Sequence, residues 1–293
     1  MKLYNYPLWT ALITPLNEDL TVDFDSLEKL LVEQKGAKNG LLILGSTGEA
    51  LNLSLSQKKE IIDFVISKNT ELPIMIGVGG HDLIETKQWL SFLEQKNIHA
   101  YLMVTPLYAK PGDHGQYLWF KELMDSVTRP VMLYNVPSRT GISLSLSAVE
   151  RLKDHKNFWA IKEASGNIEQ FKLYLKACDK KSVYCGDDAL FYEFSNNGSC
   201  GLISVASNVW PKQTSLYVKK CLSRTFNSNQ LWEEAANSLF IASNPIPAKA
   251  ILFDKKRISS KTMMPPLSSE DLTDTSLINE FDEKINKWFN QEN

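Results

Sequence analysis

Eight short apolar segments recur along the first 207 residues of this 293-residue chain, and they constrain its fold more than any other feature. They span residues 8–16, 40–46, 73–79, 100–107, 130–135, 158–164, 182–186 and 201–207. Their starts lie roughly 20–35 residues apart, which leaves room for one helix between each pair. Near-continuous apolar runs are typical of parallel strands, which are covered on both faces. The pattern therefore predicts βα repeats around a parallel sheet.

The segments between the apolar runs have helical patterns. In the first of them Asp25 offers a helix cap, Leu27, Leu30 and Leu31 form one apolar stripe, and Gly36 is a plausible stop. Eight strand–helix repeats over about 220 residues favour a (β/α)8 barrel over an open, doubly wound sheet.

The pattern changes after about residue 225. Strand-like runs stop, and prolines at positions 245, 247, 265 and 266 interrupt a series of helical segments. The last segment places four apolar residues on one helical face: Leu277, Phe281, Ile285 and Trp288. We therefore predict a catalytic barrel over residues 1–225 and a small helical C-terminal extension over residues 226–293.

Composition excludes several classes of function. The net charge is −2 and no long basic run occurs, so neither nucleic acid nor a membrane surface is an expected partner. No stretch reaches the roughly 18 apolar residues of a membrane span, and the first residues lack the pattern of a secretory signal. The four cysteines form no C-x-x-C pair. We expect a cytoplasmic location, reduced thiols and no metal site.

Lys162 lies within the apolar segment 158–164, which reads as a buried strand. Burial disfavours the charged form of a lysine, and the neutral amine is the nucleophile that attacks ketones and forms Schiff bases. The alternative is a lysine at a strand end whose ammonium group extends to solvent.

Other reactive side chains follow the strands, at the end of the barrel where active sites of this fold lie. Ser46 and Thr47 follow the second predicted strand, Tyr108 follows the fourth, and Tyr134 and Arg139 lie at or just after the end of the fifth. Each of them alone would be an ordinary turn, core or surface residue. Together with the lysine they would supply ketone activation, proton transfer and carboxylate binding at one rim.

Five motifs occur in order along the chain. They are Gly-Ser-Thr-Gly-Glu at 45–49, Tyr-Asn-Val-Pro-Ser-Arg-Thr-Gly at 134–141, Ile-Lys-Glu-Ala-Ser-Gly-Asn at 161–167, Gly-Asp-Asp at 186–188 and Gly-Leu-Ile-Ser-Val at 201–205. In these motifs the chain resembles the dihydrodipicolinate synthase family, over nearly its whole length. That family belongs to the pyruvate-dependent class I aldolases, which include N-acetylneuraminate lyase.

The resemblance implies a lyase that condenses pyruvate with L-aspartate 4-semialdehyde to give 4-hydroxy-tetrahydrodipicolinate, in lysine and diaminopimelate biosynthesis. It implies that Lys162 forms the Schiff base with pyruvate and that no metal or organic cofactor is needed. Tyr134 would shuttle protons, with Ser46 and Tyr108 completing a hydroxyl relay. In the family the tyrosine that matches Tyr108 reaches into the site of a neighbouring subunit, which implies a homo-oligomer, namely a homotetramer.

The resemblance also implies the binding residues. Thr47 and the backbone around Ile203 would hold the pyruvate carboxylate, and Arg139 would hold the carboxylate of aspartate semialdehyde. Gly186 would lie near the imine.

Two alternatives to this function remain open. Ser46 is usually threonine in the synthases, and Gly-Ser-Thr-Gly-Glu is common in the lyase branch, so N-acetylneuraminate lyase or another pyruvate-dependent 2-keto acid aldolase is the second candidate. Arg139 favours the synthase, because a sugar site needs neutral polar partners at that rim. The third candidate is a catalytically silent barrel that binds a small ketoacid or serves as an assembly partner.

The resemblance also bears on regulation. Leu107 stands where lysine-inhibited synthases often carry a tyrosine, and Leu55 and His81 differ from the histidine and asparagine of the effector pocket, whereas Glu85 is kept. A charged effector that loses polar partners binds much more weakly. We therefore expect weak or absent inhibition by lysine.

Overall fold

A closed barrel of parallel strands forms the centre of the molecule. The computed structural model describes residues 2–179, 182–226 and 228–292. The strands are β1 (Leu8–Ala11), β2 (Gly40–Ile43), β3 (Ile74–Val78), β4 (Ala100–Val104), β5 (Val131–Asn135), β6 (Phe158–Glu163), β7 (Ser182–Cys185) and β8 (Leu202–Ser204). Each strand pairs in parallel with the next, and β8 pairs with β1 to close the barrel. The predicted (β/α)8 fold is confirmed.

Helices surround the barrel and continue past its last strand. In the described residues they are α1 (Phe24–Ala37), α2 (Leu55–Ser67), α3 (Leu83–Glu94), α4 (Asp113–Asp125), α5 (Pro137–Thr140), α6 (Leu146–Leu152), α7 (Ile168–Ala177), α8 (Phe191–Asn196), α9 (Ala206–Val209), α10 (Pro211–Leu222), α11 (Gln230–Ser238), α12 (Ile246–Asp254) and α13 (Ser276–Glu292). Short 3-10 turns cover Leu3–Asn5 and Ser269–Asp271. Over the same residues, no helix combines the length and apolar character that spanning a membrane requires.

All eight predicted strands are present, but β1, β2, β4 and β8 end three or more residues earlier than predicted. β1 stops at Ala11 rather than at residue 16, because the Asn208 side chain binds the backbone there: it donates to Ala11 O (2.8 Å) and accepts from Ile13 N (3.0 Å). β8 stops at Ser204 rather than at residue 207, because the chain turns into α9.

The first helix begins and ends at residues other than those predicted. Its N-cap is Asp23 rather than Asp25, since the Asp23 carboxylate accepts from Ser26 N at 2.9 Å. Gly36 lies within the helix, which ends one residue later, and Lys38 then adopts a left-handed conformation with φ of 58°. A left-handed residue just past the last turn is a common way for a helix to end.

The predicted C-terminal helices are confirmed, with a correction to the buried face of the last one. Leu277 is 43% exposed, whereas Ile278 is fully buried with Phe281 and Ile285. Stripes that begin at 277 and at 278 both follow helical spacing, so only the packing shows that Ile278 faces the core. Trp288 packs against Trp232 of α11, with ring centroids 5.2 Å apart. The proposed division between residues 225 and 226 stays a prediction.

Candidate active site

Lys162 projects into the barrel because of the alternation of side chains along β6. Ile161 packs outward into the core between strands and helices, and Ala160 belongs to the cluster inside the barrel. Side chains at alternate strand positions share a face, so Lys162 points inward like Ala160. Only 5% of Lys162 is exposed, and its neighbours in the strand register are Tyr134 and Tyr184. The amine therefore does not extend into bulk solvent.

The amine of Lys162 lies against the phenol ring of Tyr134. Its Nζ atom is 4.2 Å from the ring centroid, and Tyr134 is 8% exposed at the end of β5. The Tyr134 backbone carbonyl also accepts from the Thr105 hydroxyl at 3.1 Å. A buried amine and a buried phenol thus lie side by side, which is the arrangement that nucleophilic catalysis with proton transfer uses.

Gly186 packs directly against the stem of this lysine. A Cβ atom at position 186 would lie 2.6 Å from Lys162 Cε and 2.8 Å from the Cβ of Ala164. The backbone N–H of Gly186 also donates to Glu163 O at 2.7 Å. Glycine therefore allows the close approach of this loop to the Lys162 side chain. The position of Gly186 near an imine stays a prediction.

A large open cavity lies at the carboxyl ends of β2 to β5. Its volume is about 1150 Å3, and Ser46, Tyr134 and Arg139 line it. Arg139 is exposed on α5, where a guanidinium can reach a bound carboxylate. Tyr134 lines this cavity and contacts Lys162, so it connects the open space with the buried amine.

Five predicted site residues do not line this cavity. Lys162 and Gly186 pack against each other, and the other three lie at separate positions. Tyr108 is 93% exposed and has a left-handed backbone with φ of 64°. Thr47 is buried, and its hydroxyl accepts from the Asn244 side chain at 3.0 Å. Ile203 is buried in β8 and pairs with Trp9 of β1. The roles of these residues, like those of the others, stay predictions.

Asp188 is the last residue of the Gly-Asp-Asp motif at 186–188, and the sequence alone indicates no role for it. Its buried carboxylate accepts from the Ser204 hydroxyl (2.5 Å), from Val205 N (2.8 Å) and from Ala206 N (3.3 Å). These bonds join the loop after β7 to the end of β8, directly beside Ile203. Burial raises the pKa of Asp188 to about 6. The sequence offered one signal for this structural role, namely a carboxylate close after a glycine at the end of a strand.

Glu163 is a second buried carboxylate, and it follows Lys162 directly in β6. It accepts from Asn135 Nδ2 (2.7 Å) and from Ser165 N (2.7 Å), and burial raises its pKa. Asn135 in turn accepts from Leu144 N at 2.8 Å. Glu163 therefore ties the carboxyl ends of β5 and β6 to the following loops and holds the backbone next to Lys162. Its place next to the lysine in an apolar segment was visible in the sequence.

The fold and the site together define a class of protein: a (β/α)8 lyase with a buried lysine amine beside a tyrosine at the carboxyl ends of the strands. Residues 6–280 match the model of the dihydrodipicolinate synthetase family. The chain belongs to that family.

Known members of the family are similar over nearly their full lengths. The 4-hydroxy-tetrahydrodipicolinate synthase of Wolbachia pipientis wMel is 45% identical over 282 residues, which cover 96% of each chain. The structure of the enzyme of that name from Methylacidiphilum fumariolicum SolV has a TM-score of 0.90 at 27% identity and covers 98% of this chain and 99% of its own. The chloride-inhibited dihydrodipicolinate synthase of Acinetobacter baumannii, solved with pyruvate, has a TM-score of 0.84 at 31% identity, with 98% of each chain covered.

The raised pKa of Asp188 predicts a pH dependence of stability. The folded protein holds a proton on this carboxyl between about pH 4 and 6 that the unfolded chain has lost. Its contribution to the free energy of unfolding is therefore full below about pH 4 and is lost as the pH rises through 6, by about 3 kcal/mol in all. Urea denaturation from pH 4 to 7 measures the free energy of unfolding of the wild type and of Asp188→Asn. The advantage of the wild type over the variant should shrink as the pH rises.

An exposed carboxylate provides the control for this measurement. Asp274 accepts from Ser276 N at 2.8 Å, which lowers its pKa. It is thus ionised in both the folded and the unfolded state above about pH 5. The difference in free energy of unfolding between the wild type and Asp274→Asn should therefore not change with pH in that range. Parallel stability curves for the wild type and Asp188→Asn would contradict the assignment of Asp188.

Proposed function

We propose that this chain condenses pyruvate with L-aspartate 4-semialdehyde to give 4-hydroxy-tetrahydrodipicolinate, in lysine and diaminopimelate biosynthesis. The observation that carries the proposal is the buried amine of Lys162, 4.2 Å from the ring centroid of Tyr134 in a barrel of this family. The relatives named for this reaction, at up to 45% identity, support it. The structure solved with pyruvate supports the same first substrate.

The chemistry proceeds through covalent intermediates on Lys162. The neutral amine attacks the keto carbon of pyruvate, and loss of water leaves a protonated imine. This imine draws electrons from the adjacent methyl group, which loses a proton to give an enamine. The enamine carbon attacks the aldehyde, and the amino group of the second substrate then closes the ring and expels Lys162. No metal or organic cofactor takes part in these steps.

Proton transfer in these steps is assigned to Tyr134, with Ser46 and Tyr108 as the other members of the relay. Tyr134 and Ser46 share the cavity, whereas the Tyr108 phenol points into solvent in a single chain. The relay is complete only if the Tyr108 side chain of another copy enters this cavity. We therefore include a homo-oligomer, with a homotetramer as its expected form, in the proposal.

The carboxylates of the two substrates are assigned to different parts of the site. Thr47 and the backbone at Ile203 bind that of pyruvate, near Gly186 and the amine. Arg139, exposed at the cavity wall, binds that of aspartate semialdehyde. A guanidinium holds a carboxylate through paired, charge-assisted hydrogen bonds, which a neutral sugar does not offer.

Borohydride trapping tests the covalent step. Incubation with pyruvate and then borohydride should add one reduced pyruvyl group to Lys162, located by peptide mapping, and Lys162→Ala should take up none. Tyr134→Phe should slow trapping by about 10²–10⁴-fold, the usual contribution of a positioned proton-transfer group.

Tyr184→Phe is the matched control for this test, because Tyr184 is also next to Lys162 in the strand register but packs on Trp159, with ring centroids 5.7 Å apart. It should trap at the wild-type rate. An unmodified Lys162 in the wild type would favour the catalytically silent barrel instead.

Replacement of Arg139 separates the synthase from the sugar-cleaving aldolases. Arg139→Gln should raise KM for aspartate semialdehyde by about 10–100-fold, the value of a hydrogen bond to a charged group, and leave pyruvate trapping unchanged. Arg151→Gln, which removes an exposed guanidinium stacked on Tyr117, is the control. An unchanged KM, or cleavage of sialic acid by the wild type, would support the alternative 2-keto acid aldolase.

Weak or absent inhibition by lysine stays a prediction, and the structure supplies a further reason for it. Leu55, His81 and Glu85 line the same cavity as Ser46, as does Lys58. Burial lowers the pKa of Lys58, and the attraction of the nearby Glu85 carboxylate opposes this shift. Glu85 therefore already interacts with a basic side chain that would compete with a cationic effector.

An enzyme assay with increasing lysine should therefore show little loss of rate. A variant that combines Leu55→His, His81→Asn and Leu107→Tyr should gain sensitivity, because it supplies polar partners to the effector. Full inhibition of the wild type at low lysine concentration would overturn the prediction.

A further inference from the structure

The C-terminal extension reaches the turn that carries Thr47. This turn, residues 45–49, follows β2 at the carboxyl end of the barrel. Asn244 is 7% exposed and Lys249, in α12, is fully buried, and both contact the turn. The contact between Asn244 and Thr47 joins residues 197 positions apart. A part of the chain outside the barrel thus forms one side of the site proposed for pyruvate.

Asn244 orients the hydroxyl of Thr47. Its Nδ2 atom donates to Thr47 Oγ1 at 3.0 Å. A hydroxyl has one hydrogen to donate, and one that accepts from an amide keeps this hydrogen for another acceptor. Within the part of the chain that the structure describes, the Thr47 hydroxyl donates to no protein group. The hydrogen is therefore available to an anion bound beside the turn.

A buried ion pair fixes the backbone of the same turn. Glu49 has a left-handed conformation with φ of 55°, and its carboxylate lies 2.5 Å from Lys249 Nζ. It also accepts from Met264 N at 2.7 Å, while Lys249 donates to Thr262 O at 2.8 Å. Both charged side chains are fully buried, and such a pair is costly to break. With the backbone held in this way, the amide at position 244 decides where the Thr47 hydrogen points.

We propose that Asn244 is a positioning residue for the carboxylate of the ketoacid substrate. By donating to Thr47 Oγ1 it directs the hydroxyl hydrogen toward that carboxylate, which accepts hydrogen bonds and donates none. An acceptor at position 244 would capture the same hydrogen and turn the lone pairs of Thr47 toward the substrate. The inference rests on the proposed function, in which Thr47 binds the pyruvate carboxylate.

The buried oxygen of Asn244 carries a cost that apolar packing alone would avoid. Asn244 Oδ1 is buried and has no hydrogen-bond partner among the described residues. A buried acceptor without a partner destabilises the folded state. An apolar residue would avoid that penalty, but it would lose the donor to Thr47.

The test is the dependence of borohydride trapping and of the steady-state rate on pyruvate concentration. Asn244→Ala removes the donor, and the isosteric Asn244→Asp replaces it with a charged acceptor. The pyruvate concentration for half-saturation should rise about tenfold in Asn244→Ala and further in Asn244→Asp, since hydrogen bonds to charged groups are the stronger ones. The rate at saturating pyruvate should stay within about threefold of the wild type, because ketoacid binding and not the bond-forming step is affected.

Two further variants separate positioning from general loosening of the turn. Asn52 also joins this region to the extension, through a bond to Met264 O at 3.4 Å, but it does not touch Thr47. Asn52→Ala should keep the wild-type pyruvate dependence. In a Thr47→Val background, Asn244→Ala should produce no further rise, because the hydroxyl that it orients is gone.

The outcomes distinguish this inference from the proposed function. A wild type that gives no pyruvyl adduct on Lys162 refutes the proposed function, whatever the Asn244 variants do. If the wild type forms the adduct but Asn244→Asp reaches half-saturation at the same pyruvate concentration as the wild type, the positioning role is overturned. An equal rise in Asn52→Ala also overturns it. If Asn244→Ala does not fold, the isosteric aspartate variant, checked by thermal unfolding, decides the question.

Discussion

The strand register around β6 is the constraint on which the rest of the structure depends. It sets Lys162 between Tyr134 and Tyr184, with Ala160 on the same inward face. A shift of one residue would turn the lysine toward the helices and bring Ile161 into the barrel, since strand side chains alternate with a period of two. Closure of the sheet through the β8–β1 pairing prevents this shift, because every strand is held on both edges.

Several polar side chains near the carboxyl ends of the strands are buried away from water. The structure compensates for their lost hydration by pairing them with hydrogen-bond donors or opposite charges. Glu163, the residue after Lys162 in β6, and Asp188, beside the end of β8, are both buried, and each accepts a backbone hydrogen bond from a loop that follows a strand. The ion pair of Glu49 and Lys249 does the same for the turn after β2. These groups are costly to bury alone, but each one fixes a loop at the end of the barrel where the reaction is proposed. Rigidity at the carboxyl ends thus comes from polar contacts, whereas the interior of the barrel is held by apolar packing.

The sequence predicts those features that neighbouring residues determine, and it misses those that depend on contacts between distant parts of the chain. The strands, the inward lysine and the helical C-terminus depend on patterns within a few residues, and these were predicted. The early end of β1 depends on Asn208, and the orientation of Thr47 depends on Asn244, each nearly 200 residues away. No local pattern reports such a contact. The misplaced stripe at Leu277 has another reason: Leu277 and Ile278 are both apolar, and only packing shows which of them faces the core.

In the proposed enzyme, Tyr108 would connect assembly with catalysis. A left-handed backbone at a residue other than glycine costs about 1 kcal/mol or more, and an exposed aromatic side chain gains nothing from burial. Both penalties are present in the single chain, where the phenol is 93% exposed. Leu51 and Leu55, which line the cavity, are also more than half exposed. A second copy that covered these side chains and received the phenol in its own cavity would remove the exposure and complete the relay, so that full activity would require assembly.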